Sequence, residues 1–182
     1  MAATQIKRTG FGQVEPNHLS AQTNGQIYAQ LPAKSTLNIL ENGMFLKYDY
    51  ENGECNLTGD GEWMLVMNEI KLYDERRQGL KDYAMKKTDF MGGEMVPRLL
   101  KTSVGDIFTT NTFGANTSAD AEVNGLSLDV GDDLTVDSST GYLKAAGQND
   151  TTFLWKVVKV YTMPDGISPG VKLQRIAWEG RI

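Results

Sequence analysis

The chain has 182 residues, of which 40% are hydrophobic and 23% are charged, and its net charge at pH 7 is −5. This composition predicts a soluble globular protein with a buried core and excludes a largely disordered chain. The acidic balance argues against nucleic acid as a partner, because phosphate binding needs a concentrated basic face.

Cysteine and histidine each occur once in the chain, as Cys55 and His18. An internal disulfide is therefore excluded, and the ligands of a structural zinc site are lacking, so we expect no metal or other cofactor. Residues 1–20 contain no apolar run, and no segment approaches the roughly 18 apolar residues of a membrane-spanning helix. We expect no signal peptide, no membrane partner and synthesis in a cytoplasm.

Residues 1–35 are rich in Gln, Asn, Thr, Gly and Ala, and their apolar residues follow neither a helical nor an alternating period. Such a composition is typical of a disordered tail or of an extended arm that becomes ordered on a partner. Ile6 and Phe11 favour the arm, since a plain linker needs no apolar anchors. We therefore predict an extended N-terminal arm over 1–35. Its expected partner-binding residues are Ile6, Lys7, Arg8 and Phe11.

Residues 36–182 are predicted to form a β-rich body. Asn52-Gly53 stands between two alternating apolar runs, which is the strongest short-range signal for a hairpin. Turn residues recur roughly every 8–12 residues, as in all-β barrels and sandwiches. At most one short helix is expected, near residues 75–86. Gly79 weakens that expectation, and a charged loop at one end of a sheet is the alternative.

Two stretches of the body share one pattern. Glycine and aspartate recur at the same spacing, as Gly43, Asp49, Gly53 and Gly59 and again as Gly131, Asp137, Gly141 and Gly147. Each stretch precedes a long strand-like run that begins near a tryptophan, Trp63 or Trp155. This repetition predicts a compact barrel-like or sandwich-like body built from two similar β units, while a chance match of two turns is the alternative. The expected units are residues 37–112 and 126–182.

No arrangement typical of catalysis is evident, and we predict that the protein is not an enzyme. Ser-His-Asp and Cys-His arrangements would both depend on His18, which lies in the polar arm without the fixed geometry that a general base needs. The best cluster of ligands is acidic and suits calcium, but its spacing does not match a calcium loop. Solvated turn residues are the commoner reading of such acids. The cluster comprises Asp129, Asp132, Asp133 and Asp137.

Aromatic and methionine residues offer two further hypotheses. Trp63, Trp155 and Trp178 lie in or beside apolar strands, so core packing is favoured over an exposed face for sugar or nucleic acid. The cluster Phe90, Met91 and Met95 indicates an adaptable apolar surface, either an interface or a loosely packed rim of the core.

The stretch VGDDLTVDSSTGYLKAA, residues 130–146, fits the pattern G-D-x-L-x-x-D-x-x-T-G-x-L-x-x-A. This pattern resembles segments of small β proteins of tailed bacteriophages, namely capsid decoration (cement) proteins and related head-surface proteins. SVGDIFTTNTF, residues 103–113, and the polar N-terminal stretch are similar in character. The resemblance covers about a third of the chain strongly, and it brings no catalytic residues.

This resemblance implies a structural virion protein on the capsid surface, made in the host cytoplasm, that stabilises the head by bridging capsid subunits. The expected partners are the major capsid protein and further copies of the chain, as a homotrimer in preference to a dimer. One alternative is a tail, connector-ring or fibre-associated structural protein. The other is a carbohydrate-binding module for host attachment, with Trp178 as its first candidate residue.

Overall fold

The structure is a computed structural model that describes residues 4–8, 10–19, 29–68, 84–113, 123–163, 166 and 168–177. Within these ranges the regular structure is almost entirely β-strand, which confirms the prediction of a mainly all-β fold. Residues 75–83 of the expected helix lie outside the described residues. Ala84–Lys86, the rest of that range, form a strand, and a single 3-10 turn follows at Lys87–Asp89.

The strands are β1 (Thr4–Arg8), β2 (Val14–His18), β3 (Ala29–Gln30), β4 (Ile39–Glu41), β5 (Phe45–Asp49), β6 (Glu54–Asn56), β7 (Trp63–Val66), β8 (Ala84–Lys86), β9 (Arg98–Lys101), β10 (Ile107–Thr110), β11 (Val123–Leu128), β12 (Asp133–Val136), β13 (Leu143–Ala145), β14 (Leu154–Thr162) and β15 (Pro169–Ile176).

Two larger sheets share one strand order. The first sheet runs β6–β5–β7–β9–β3, and the second runs β13–β12–β14–β15–β10 with β2 added at its edge. Neighbouring strands within each sheet are antiparallel. Two smaller antiparallel pairs complete the fold, β4 with β8 and β1 with β11. Each sheet thus begins with a hairpin, continues through a strand that contains or adjoins a tryptophan, β7 or β14, and ends with two more strands.

Backbone hydrogen bonds make the two sheets equivalent at the start of each hairpin. The Gly43 N–H donates to the Val66 carbonyl at 3.0 Å, and the Gly131 N–H donates to the Val157 carbonyl at 2.8 Å. Both glycines have positive φ, 95° and 100°. The repeated glycine spacing in the sequence therefore corresponds to a repeated backbone path.

The two tryptophans do not occupy equivalent positions. Leu46, the residue in the first sheet that matches Leu134, pairs with Met64, while Leu134 pairs with Trp155. Trp155 is thus equivalent to Met64, and Trp63 lies one position away from it. The apparent match of the two tryptophans in the sequence is offset by one residue.

Strand β10 corrects the expected boundary between the two units. The sequence places it in the first unit, residues 37–112, but its backbone pairs with β15 in the second sheet. In the first sheet the corresponding strand is β3, which pairs with β9 and lies inside the expected arm. Each unit as folded therefore starts one strand earlier than the sequence predicts.

The described part of the N-terminal stretch belongs to the body and does not form a separate arm. β1 pairs with β11, and β2 pairs with β10 at the edge of the second sheet. Burial explains the difference, because Ile6, Phe11 and Leu19 are only 0%, 5% and 3% exposed. The scattered apolar residues of this stretch are anchors within the chain.

The core consists of two clusters that cross between the sheets. The larger cluster contains Phe45 from the first sheet together with Phe108 and Trp155 from the second. The Phe108 and Trp155 rings meet edge to face, with centroids 4.8 Å apart. The smaller cluster lies mainly on the first sheet, yet it includes Tyr142 from the second hairpin. Each sheet therefore contributes side chains to the other sheet's core.

Candidate functional site

The two hairpin turns have the same backbone geometry. The Gly53 N–H donates to the Asp49 carbonyl at 2.9 Å, and the Gly141 N–H donates to the Asp137 carbonyl at 2.8 Å. Gly53 and Gly141 both have positive φ, a conformation that is costly for other residues. The shared aspartates and glycines thus build turns.

The two turn aspartates also cap the backbone with their side chains. Asp49 Oδ1 accepts the Asn52 N–H at 3.1 Å, and Asp137 Oδ1 accepts the Ser139 N–H at 2.9 Å. Hydrogen bonds from Asn52 and Ser139 lower the pKa of the respective aspartates, because they stabilise the charged carboxylates. These acids act in the turns and need no ligand.

The other acids of the expected calcium cluster also have local roles. The Asp132 carboxylate accepts the Asp129 N–H at 2.8 Å, and the Asp133 carboxylate lies 2.7 Å from the Lys156 ammonium. Among the residues that the structure describes, no group of three or more His, Cys, Asp or Glu side chains is arranged to hold a metal ion.

The four expected partner-binding residues have two different placements. Ile6 and Phe11 are buried against the body, so in this conformation they are unavailable to another molecule, contrary to the sequence expectation. The Lys86 ammonium lies 5.0 Å from the centroid of the Phe11 ring. Lys7 and Arg8 lie in β1, and their side chains are outside the described part of the structure.

A tight crossing beyond Phe11 fixes the N-terminal stretch against β4 and the segment that follows β10. The Gly12 N–H donates to the buried Glu41 carboxylate at 3.0 Å, and the Gln13 N–H donates to Asn111 Oδ1 at 3.0 Å. A Cβ on Gly12 would lie 2.2 Å from Thr112 Oγ1, which leaves no room for a side chain. Sequence reasoning missed this crossing, because an isolated glutamate or glycine carries no signal of burial.

His18 and Cys55 are not placed as a catalytic pair. His18 is exposed on β2, at the edge of the second sheet, where it pairs with Ile107. Cys55 is buried in the first sheet, and this burial raises the pKa of its thiol to about 12. A protonated, buried thiol is a poor nucleophile.

The described aromatic side chains differ in exposure. Trp155 is fully buried, which confirms its predicted core role, while Trp63 is half-buried with the Lys47 ammonium 5.0 Å from its ring centroid. Trp178 lies outside the described residues. The rings of Tyr48 and Tyr50 have centroids 4.3 Å apart, and Tyr50 is 63% exposed.

The predicted apolar surface near residue 90 is present in part. Met95 is buried in the smaller core cluster and Phe90 packs against it. Met91 is fully exposed, and Val96 is partly exposed. This loop therefore presents apolar side chains to the outside while its neighbours fix it to the core.

Comparisons of the chain with protein-family models, curated protein sequences and solved structures find no match. In the described part of the chain, no helix is both long and apolar enough to cross a membrane. The interpretation of function therefore depends on the sequence pattern together with the geometry of the hairpins, the crossing and the exposed side chains.

Proposed function

We propose that the chain is a structural protein of a tailed-bacteriophage virion, which binds the outside of the capsid and stabilises it by bridging subunits of the major capsid protein. The β12–β13 hairpin carries this proposal, because its sequence resembles segments of decoration proteins. The residues that carry this resemblance have structural roles, since Gly131, Asp137 and Gly141 all shape turns. A rigid scaffold element of this kind suits a protein whose work is to bind and to bridge.

We place the capsid contact on the loop that bears Met91 and Val96. Ile6 and Phe11 are occupied within the chain, whereas these two apolar side chains are exposed. Exposed methionine adapts its shape to a partner surface, and exposed apolar groups of this kind suit a protein interface. Many weak contacts of this type add up when many copies bind one shell. Lys7 and Arg8 remain predicted contacts.

Co-sedimentation with undecorated capsids of the corresponding phage tests this proposal. We expect the wild-type protein to sediment with the capsids, and Met91→Asp to weaken binding strongly. Val104→Asp is the matched control, because Val104 is also exposed but lies in the turn between β9 and β10. Lack of wild-type binding would overturn the function, and equal binding of both variants would overturn only the location of the contact.

A second candidate function, a carbohydrate-binding module for host attachment, is favoured by the exposed Tyr50 beside Tyr48. Such a ring offers an apolar face and a polar hydroxyl to a ligand. A glycan array with the wild type and Tyr50→Ala tests it. Binding that the substitution abolishes would support this function, and an array without any bound glycan would exclude it.

The tail or connector alternative predicts assembly without a capsid. The mass of the purified protein in solution tests it, because a ring would form from the chain alone. A closed ring of many copies would favour this alternative, whereas a trimer or a dimer agrees with the decoration proposal.

A further inference from the structure

The two units fill one strand position from different parts of the chain. In the first unit β4 pairs with β8, and in the second unit the corresponding strand β11 pairs with β1. Leu40 in β4 and Leu128 in β11 occupy the same position relative to the turn glycines Gly43 and Gly131, and both are buried. The partner strand is local in one unit and comes from the N-terminus in the other.

The lengths of two connections explain this difference. Residues 67–97 join β7 to β9, and they include β8. Residues 163–168 join β14 to β15 at the corresponding place, where the Met163 N–H donates to the Ser168 carbonyl in a tight turn. So short a connection cannot also supply a paired strand. The position beside β11 must therefore be filled by a segment from elsewhere.

Backbone pairing and side-chain packing are what hold β1 in the position beside β11. The β1 backbone pairs with β11 from Thr4↔Leu128 to Arg8↔Val123, with an irregularity between Gln5 and Lys7. The Ile6 side chain is part of the larger core cluster, and β1 also packs against β15. Every one of these contacts would be the same if β1 belonged to another molecule.

The connection that follows β1 and β2 is long enough for these strands to pair either with their own chain or with a second copy. After β2 and Leu19, residues 20–28 lead to β3. Ten peptide steps span at most about 33–36 Å when extended. This reach exceeds the thickness of a stacked pair of sheets, about 10 Å between layers. A neighbouring copy is therefore within range of the N-terminal segment.

We propose that the position beside β11 is a strand-acceptor site, and that in the assembled protein its occupant is β1 of a second copy of this chain. Exchange of identical segments keeps all contacts of the closed monomer, so the opposing cost is the entropy of association. A high local concentration of copies in an assembly reduces that cost. This inference concerns self-assembly and does not depend on the identity of the capsid or other partner.

Cysteine trapping between two full-length variants tests the exchange. Gln5 and Ser127 are partners across β1 and β11, so their Cα atoms have the separation that a disulfide requires. One variant carries Gln5→Cys and the other carries Ser127→Cys, each with Cys55→Ala to remove the chain's single cysteine. The two are co-expressed, purified and oxidised. We expect a disulfide-linked heterodimer to be the main product.

A second pair and a control keep the result interpretable if one substitution disturbs folding. His18 and Ile107 are partners across β2 and β10, so His18→Cys and Ile107→Cys repeat the test at a separate place. Lys47→Cys and Asn56→Cys form the control, because these partners lie in one short hairpin and pair within a chain.

A heterodimer from either N-terminal pair and none from the control supports strand exchange. No heterodimer from both N-terminal pairs, or an equal yield from the control, overturns it. Capsid co-sedimentation is measured on separate samples, so failure of exchange and failure of the capsid proposal are distinguishable.

Discussion

The β5–β6 and β12–β13 hairpins share a turn but differ in what the turn contacts. Apart from Gly53 itself and its two neighbours in the chain, nothing lies within 4 Å of where a Cβ on Gly53 would be, whereas a Cβ on Gly141 would lie 2.6 Å from the Phe45 carbonyl oxygen. The Phe45 N–H also donates to the Gly141 carbonyl at 2.8 Å. Spacing of glycine and aspartate thus specifies the path of the backbone, and the surroundings decide whether the turn has a packing role.

The residue that follows each turn is partly exposed to solvent in the first hairpin and buried in the second. Glu54 in the first hairpin is partly exposed and lies 3.7 Å from the Lys34 ammonium. Tyr142 in the second hairpin is buried in the core cluster of the first sheet. The second hairpin therefore joins the two sheets, while the turn of the first lies at the surface.

The largest effect is expected at Trp155, which the alternation of β14 places in the core. Trp155→Ala should lower the free energy of unfolding by about 3–5 kcal/mol, the usual cost of removing a buried aromatic side chain. Trp63→Ala is the matched control and should cost less than half as much, because Trp63 is half-buried. Denaturant unfolding measures both. Equal losses would mean that the two tryptophans are equivalent after all.

The next largest loss of stability is expected at Gly141, and it should exceed the loss at Gly53. Gly141→Ala should cost about 3 kcal/mol, because positive φ adds roughly 1–2 kcal/mol and overlap with the β5 backbone adds a similar amount. Gly53→Ala has the same backbone strain without the overlap, and should cost about 1–2 kcal/mol. Denaturant midpoints of the two variants measure the difference. A Gly53→Ala loss as large as that of Gly141→Ala would contradict the packing role of the second turn.

A smaller loss is expected at the crossing of the N-terminal stretch. Gly12→Ala should cost about 2 kcal/mol, because the added methyl group overlaps Thr112 and the Asn42 carbonyl. Gly147→Ala is the control, since its Cβ would lie 3.4 Å from Asp150 and meet no closer atom. Limited proteolysis should cut the N-terminal stretch faster in the first variant only. Equal protection in both would show that the crossing does not hold the segment.

The smallest effect concerns acid sensitivity. The folded-state pKa of Asp49 and of Asp137 is below the ordinary 3.8, so each carboxylate stabilises the fold above that pH. This contribution is lost as the pH falls from 3.8 through the lower folded-state pKa. Asp49→Asn and Asp137→Asn should each make the free energy of unfolding fall less as the pH is lowered, by similar amounts. Unfolding measured across that pH range tests this, and a change in only one variant would contradict equivalent capping.

The sequence predicted the fold class and the turns because these depend on local chemistry. Asn52-Gly53 specifies a hairpin because Gly53 adopts positive φ, and alternating apolar residues specify strands. The repeated glycines led to a repeated backbone path for the same reason. Such signals need no knowledge of distant residues.

The strand pairing of the N-terminal stretch and the burial of its expected interface residues could not be predicted from the sequence. Both depend on contacts between distant residues. Ile6 and Phe11 read as anchors in the sequence, but the identity of their partner is a tertiary property. Glu41 is buried and accepts a hydrogen bond from Gly12, 29 positions earlier, and nothing in the sequence around it signals this. The position of β10 also depends on long-range pairing with β15.

The hydrogen bond between the Gln13 N–H and Asn111 joins residues that are 98 positions apart. During synthesis at about 5–20 residues per second, the N-terminal stretch leaves the ribosome several seconds before its partner strands exist. Because contacts of such high sequence separation form late, β1 and β2 lack their partner strands β11 and β10 while the first sheet assembles. On a polysome, where nascent copies stand side by side, the order of translation itself would decide whether the waiting strand closes on its own chain or on a neighbour.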